Sequence, residues 1–199
     1  MLGLARFPGG ARFGDVPRIP GRSGVLVLMN HQSLLDIPLV VRTLAPGYPR
    51  IITRARYARG KPLISHMVRL YQYPTVDPGA TARKQLAQLA EVGRSAEVPL
   101  VIFPEGTRTR TGDVGRFKKA GLRALLSSRR WEVWIVVSDG HWKSGRLTDF
   151  LENVSTIRGR TAVVGPFQSP EPDADHDDFI GDMAARMQDA LDGLRGDVA

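Results

Sequence analysis

The chain of 199 residues has no cysteine, which excludes disulfides, zinc-thiolate centres and a cysteine nucleophile. It also lacks a long hydrophobic run. Its longest apolar stretches are "VLVLM" at 25–29 and "VPLVIF" at 98–103, whereas a bilayer-spanning helix needs roughly 20 residues. Aromatic residues make up 7% of the chain and are not interleaved with the basic ones, so the stacking platform of a single-strand nucleic-acid binder is missing. No G-x-S-x-G run is present, which removes the serine nucleophile elbow. The first 24 residues carry scattered arginines without the continuous apolar middle of a secretory signal, and cytoplasmic residence is the expectation.

At 42% hydrophobic content the chain can bury a substantial core as one domain. The net charge of +8 is unevenly spread: from residue 171 onward nine acids face two arginines, net −7, leaving +15 on residues 1–170. Such a basic body attracts phosphates, whether of nucleic acid, lipid headgroups or a phosphorylated small molecule, and is equally compatible with a solvated surface.

Short β-branched runs alternate with helical patterns, so an α/β architecture with a central sheet is expected. The strands are placed at 24–29, 50–54, 98–103, 133–138 and 161–164, with a short edge strand at 74–76. Helices are placed over "SLLDIPLVVRTLA" from Ser33 as N-cap, and over 61–70, 80–92 and 118–127. A last helix starts near Asp178, where Phe179, Ile180, Met183, Met187, Leu191 and Leu194 form one stripe. This stripe reads as core packing; its polar side is acidic and anionic lipid would repel it. The preceding "SPEPDADHDD" reads as a solvated linker, with His176 lacking a second histidine for metal binding.

Two stretches carry chemistry. In "NHQSLLDIP", 30–38, a fully helical spacing would rotate His31 and Asp36 about 140° apart. They meet if His31 occupies the turn leaving the first strand and Asp36 lies inside the following helix. Asp36 then orients the imidazole and leaves its other nitrogen free as a general base. Alone, the pair is also what an ordinary turn contains. The second stretch is "FPEGTRTRTGDVGRFKKAG", 103–121. A buried strand ends at Pro104 and releases a loop at its carboxyl end, where open α/β sheets bind ligands. There Arg108 offers a planar fork for phosphate, Gly106 permits close approach of a ligand, and Lys118 adds positive charge.

Together the two stretches resemble the glycerolipid acyltransferase family, which includes lysophosphatidic acid acyltransferases. Asn30, His31 and Asp36 match its first motif, and 103–108 match its Phe-Pro-Glu-Gly-Thr-Arg run without change; Phe117 and Lys118 match a Phe-Lys pair that follows in many members. The resemblance covers about residues 22–165 and implies a single domain with a mixed central sheet flanked by helices, from residue 24 to 199, behind a basic segment 1–23. It implies that His31 is the general base, Asp36 its orienting partner, and Glu105, Gly106, Thr107, Arg108 and Lys118 the acceptor site. It further implies an acyl-CoA or acyl carrier protein thioester as donor substrate, no bound cofactor or metal, and a lysophospholipid such as 1-acyl-glycerol-3-phosphate as acceptor. No acyl-enzyme is required. Backbone amides at 33–35 are candidates for the oxyanion donors.

Two features depart from the family pattern. The arginine of the second motif is absent from "YQYPTVDPGATARK", leaving Val76, Asp77 and Pro78 in its region, with Arg83 as a candidate substitute; the alternatives are the same chemistry on an acceptor that lacks the usual phosphate, or a non-catalytic basic membrane-binding protein. Ser138 stands where a proline is usual in the fourth motif, near Asp139 and His141. Some relatives carry an N-terminal hydrophobic anchor. Here Arg6, Arg12, Arg18 and Arg22, interspersed with Leu2, Leu4, Phe7 and Phe13, suit peripheral attachment to the anionic inner face of a membrane, the alternative being disorder.

Overall fold

Every residue of "VLVLM" is buried, because both faces of the strand it forms are covered. The computed structural model describes residues 18–33, 35–45, 47–60, 64–77, 79–140, 142 and 159–196. After a two-residue strand β1 (Ile19–Pro20), the apolar run forms β2 (Val25–Met29). It lies at the centre of a five-stranded sheet with β4 (Arg50–Ile51), β7 (Leu100–Ile102), β8 (Glu132–Asp139) and β9 (Arg160–Gln168), in the order β4-β7-β2-β8-β9. The first four strands are parallel and β9 is antiparallel to β8. This is the mixed sheet expected, and its continuous apolar strands are typical of parallel sheets covered on both sides.

Side-chain alternation along β2 divides the core. Leu26 and Leu28 point to a layer built by α3 (Ala82–Arg94), α4 (Lys119–Leu126) and α5 (Asp177–Gly196), where Leu122, Leu125, Met183 and Met187 are buried. Val25, Val27 and Met29 point to the other face, covered by α1 (Asp36–Thr43) and the neighbourhood of α2 (Ile64–Leu70), with Leu39, Val40 and Val68 buried. The α5 stripe is core: Ile180, Met183, Met187 and Leu191 are all buried. His176, by contrast, is not in a solvated linker. It is 3% exposed at the start of α5, and neither ring nitrogen has a hydrogen-bond partner.

Three local differences from the sequence reading matter for the site. The helix after β2 begins at Asp36 rather than at Ser33, whose hydroxyl instead accepts the Leu35 N–H. Pro38 thus falls in the first turn, where a missing N–H costs nothing. The helix also ends at Thr43, because β3 (Leu44–Ala45) pairs with β1. Finally, 50–54 is not one strand. Ile52 N–H still reaches Val101 O, but Thr53 N–H reaches Pro74 O, so the chain leaves the main sheet and β5 (Thr53–Arg54) pairs with β6 (Thr75–Val76). Residues 1–17 of the basic segment, Pro78 and His141 lie outside the described residues. Among those described, no helix is long and apolar enough to cross a membrane.

Candidate active site

At the carboxyl end of β2 the chain turns sharply and wraps around one carboxylate. Asp36 is fully buried, and its Oδ2 lies 2.8 Å from His31 Nδ1 while accepting the backbone N–H of Gln32 at 2.6 Å and of Ser33 at 2.8 Å. The hydroxyl of Ser138 on β8 reaches its other oxygen at 3.3 Å. These donors fix the carboxylate, and with it the plane and tautomer of the imidazole: Nδ1 carries the proton and Nε2 is left as the basic nitrogen. Phe103 stacks on the ring from the neighbouring strand end, centroids 4.1 Å apart. The strand, turn and helix order required of this pair is therefore the one present.

Asn30 anchors the turn from behind. Its carboxamide receives Ser138 N–H and donates to Ser138 O, both at 2.8 Å, bridging the ends of β2 and β8 as a peptide group would. A proline at 138 would have no N–H to give, so the departure at this position supplies a donor. Of the amides considered for an oxyanion, Ser33 N–H is engaged by Asp36 and Leu35 N–H by Ser33, and Leu34 lies outside the described residues. The Asp139 carboxylate is occupied by Arg160 and Arg195.

The loop after β7 folds against this turn. Glu105 is 4% exposed; its carboxylate accepts His31 N–H at 3.3 Å and also the Gly115 N–H. Burial raises this carboxyl to about 7, the two N–H groups oppose the rise, and the Asp36 charge adds to it. The expectation placed Glu105 in the acceptor site, but it is not among the side chains lining the adjacent cleft. It joins loop to turn. Gly106 has a φ of +68°, a left-handed backbone conformation that calls for glycine.

Beside His31 opens a cleft of about 480 Å³. Gly106, Thr107, Arg108 and Lys118 line it as the sequence suggested, but Arg54, Arg56 and Tyr57 join them. Arg54 donates to Gly106 O, and Arg56 donates to the Tyr57 hydroxyl at 3.1 Å. The positive field can be read from Tyr57. Burial alone would raise its phenol, yet the Arg56 hydrogen bond and the charges of Arg56, Arg108 and Arg54 bring it below the ordinary value. The rest of the lining is mainly apolar, from Leu86 and Leu89 of α3, Ala120 and Gly121 of α4, and Val76 and Ile102. Arg83 of α3 does not line it. Arg54 stands directly across the β5–β6 pair from Val76, which places a cation beside the stretch that lacks the second-motif arginine. The signal that could have found it was the alternation of arginines in "TRARYARGK", 53–61; its position depended on the change of strand partner at Ile52.

A family model described as Acyltransferase matches residues 11–145. The chain belongs to the acyltransferase family. Over 126 residues it is 28% identical to a 1-acyl-sn-glycerol-3-phosphate acyltransferase of Cocos nucifera, an alignment that covers 61% of this chain and 40% of that protein. The chain thus spans well under two thirds of this curated relative. Among solved structures of the family, that of the 1-acyl-sn-glycerophosphate (LPA) acyltransferase PlsC from Thermotoga maritima superposes with a TM-score of 0.66 at 21% identity, covering 92% of this chain and 71% of that one. The acyltransferase fold thus extends over nearly the whole chain.

Proposed function

We propose that the protein transfers a fatty acyl group from an acyl-CoA or acyl carrier protein thioester to the hydroxyl of a lysophospholipid such as 1-acyl-glycerol-3-phosphate, as a step of phospholipid synthesis at a membrane surface. The observation that carries this reading is the His31–Asp36 pair, bonded at 2.8 Å, at the wall of a cleft lined by both cationic and apolar side chains. A phosphorylated, hydroxyl-bearing acceptor suits the cations Arg54, Arg56, Arg108 and Lys118, and an alkyl chain suits the apolar lining supplied by α3 and α4. Family membership and the two relatives' names support the same reading.

In this mechanism Nε2 of His31 takes the proton from the acceptor hydroxyl as its oxygen attacks the thioester carbonyl. Asp36 stabilises the imidazolium that forms. Collapse of the tetrahedral species breaks the C–S bond, and the proton on Nε2 passes to the leaving thiolate. General-base assistance of this kind is worth ~10² to 10⁴ in rate, or roughly 3 to 5 kcal/mol of barrier. Purified protein should transfer a labelled acyl chain to 1-acyl-glycerol-3-phosphate in preference to its unphosphorylated counterpart, and His31→Ala should lose at least ~10² of that rate. Transfer confined to acceptors without phosphate would refute the acceptor; an undiminished His31→Ala would refute the base.

A further inference from the structure

The carbonyl of Gly112, in the loop between β7 and α4, accepts two hydrogen bonds of 2.9 Å. One comes from Nε2 of Gln32, the residue after His31, and the other from Nη2 of Arg195 in the last turn of α5. Gln32 is fully buried, and its own N–H makes the 2.6 Å bond to Asp36. Arg195 also donates to Asp113 at 2.8 Å and contacts Asp139, at the end of β8, at 3.4 Å. Gly112 has a φ of +89°, and a Cβ on it would lie 2.7 Å from the Trp142 ring and 3.0 Å from Arg195 Nη2, so the carbonyl is held where both donors converge.

We propose that Arg195 is a positioning residue for the His31–Asp36 pair, acting through the Gly112 carbonyl and the Gln32 side chain, which makes the C-terminal helix part of the active-site support. The physical argument is a sequence of fixed contacts. Arg195 binds two carboxylates and one carbonyl with a rigid fork, and charge-assisted bonds of this type are stronger than neutral ones. Gln32 carries both contacts, its side chain on Gly112 and its backbone N–H on Asp36, so releasing the side chain loosens the residue that makes the shortest bond to Asp36. A displaced Asp36 leaves the imidazole free to rotate away from the productive tautomer and orientation. This inference rests on the reading of His31 and Asp36 as the proton-transfer pair.

The test uses the full chain and compares Arg195→Ala, Gln32→Leu, their combination, and Arg186→Ala. The last removes a second α5 ion pair, Arg186–Asp182 at 2.8 Å, whose guanidinium lies over the Phe167 ring and makes no bond to Gly112 or Asp113. Two readouts are taken: transfer to 1-acyl-glycerol-3-phosphate, and the proton resonance of the His31 Nδ1–H bonded to Asp36. Arg195→Ala is expected to lower kcat about tenfold, as a small misplacement of reacting groups does, with KM for both substrates within about twofold of the parent. Gln32→Leu should do the same and the double variant no worse, since both act on one path. The resonance should shift in both single variants and not in Arg186→Ala. If Arg195→Ala does not fold, Arg195→Lys, which can keep the Asp113 pair but not the fork, carries the same comparison. Losses that multiply in the double variant, an unchanged kcat in an active protein, or an unmoved resonance would each overturn the inference. A parent protein without transfer activity would overturn the functional reading instead, while the resonance would still decide whether Arg195 positions the pair.

Discussion

Replacing Glu105 with glutamine tests the loop-to-turn contact through stability. In the folded protein the carboxyl is raised from 4.5 to about 7, chiefly by burial. Between these values the folded chain holds a proton that the unfolded chain has released, so raising the pH through this window removes stability. The change corresponds to roughly 3 kcal/mol at about 1.4 kcal/mol per pKa unit, reached in full above about pH 7. Glutamine keeps the acceptor oxygen for His31 N–H and never ionises. The stability of Glu105→Gln minus that of the parent should therefore rise by up to about 3 kcal/mol from pH 4.5 to pH 8, or roughly 6 to 12 °C in Tm for a chain of this size. Denaturant midpoints at pH 5, 6, 7 and 8 measure this difference, and groups titrating in both proteins cancel from it. A flat difference would show that Glu105 titrates alike in the folded and unfolded chains. The opposite slope would show that the anion is what His31 N–H and Gly115 N–H require. Either result refutes the account of a buried, strained carboxylate.

The cationic and apolar linings of the cleft yield further expectations. Arg54→Gln removes a charge beside the missing second-motif arginine and should raise KM for a phosphorylated acceptor about tenfold, as expected for a hydrogen bond to a charged group worth ~1.5 kcal/mol or more, with little change for an unphosphorylated one; equal effects on both would remove Arg54 from phosphate binding. A Cβ at Gly121 would lie 3.4 Å from Leu89 Cδ1, so Gly121→Phe should fill the apolar space beside α3. Steady-state rates with donors of graded length should then shift toward short acyl chains, and an unaltered preference would place the alkyl chain elsewhere.

Where geometry depended on neighbours in the chain, the sequence was sufficient. His31 and Asp36 are five residues apart, and the apolar run before them and the helix after them force the turn that joins them. The Phe-Pro-Glu-Gly-Thr-Arg loop follows directly from a buried strand and a glycine at positive φ. Spacing of apolar residues likewise determined the helices and the buried face of α5, because a 3.6-residue period is a local property. Tertiary structure decided what depends on partners remote in sequence. A single strand at 50–54 has the right pattern, but hydrogen bonding to Val101 on one side of Ile52 and to Pro74 on the other divides it and carries Arg54 into the cleft. Glu105 has the composition of a ligand-binding acid, yet the N–H groups of His31 and Gly115 hold it in a buried position. Arg195 reaches Gly112 across 83 residues, and no local period encodes that contact. Short-range geometry constrains which groups can meet within a turn; the sheet order and the layers packed on it determine which distant groups share the site.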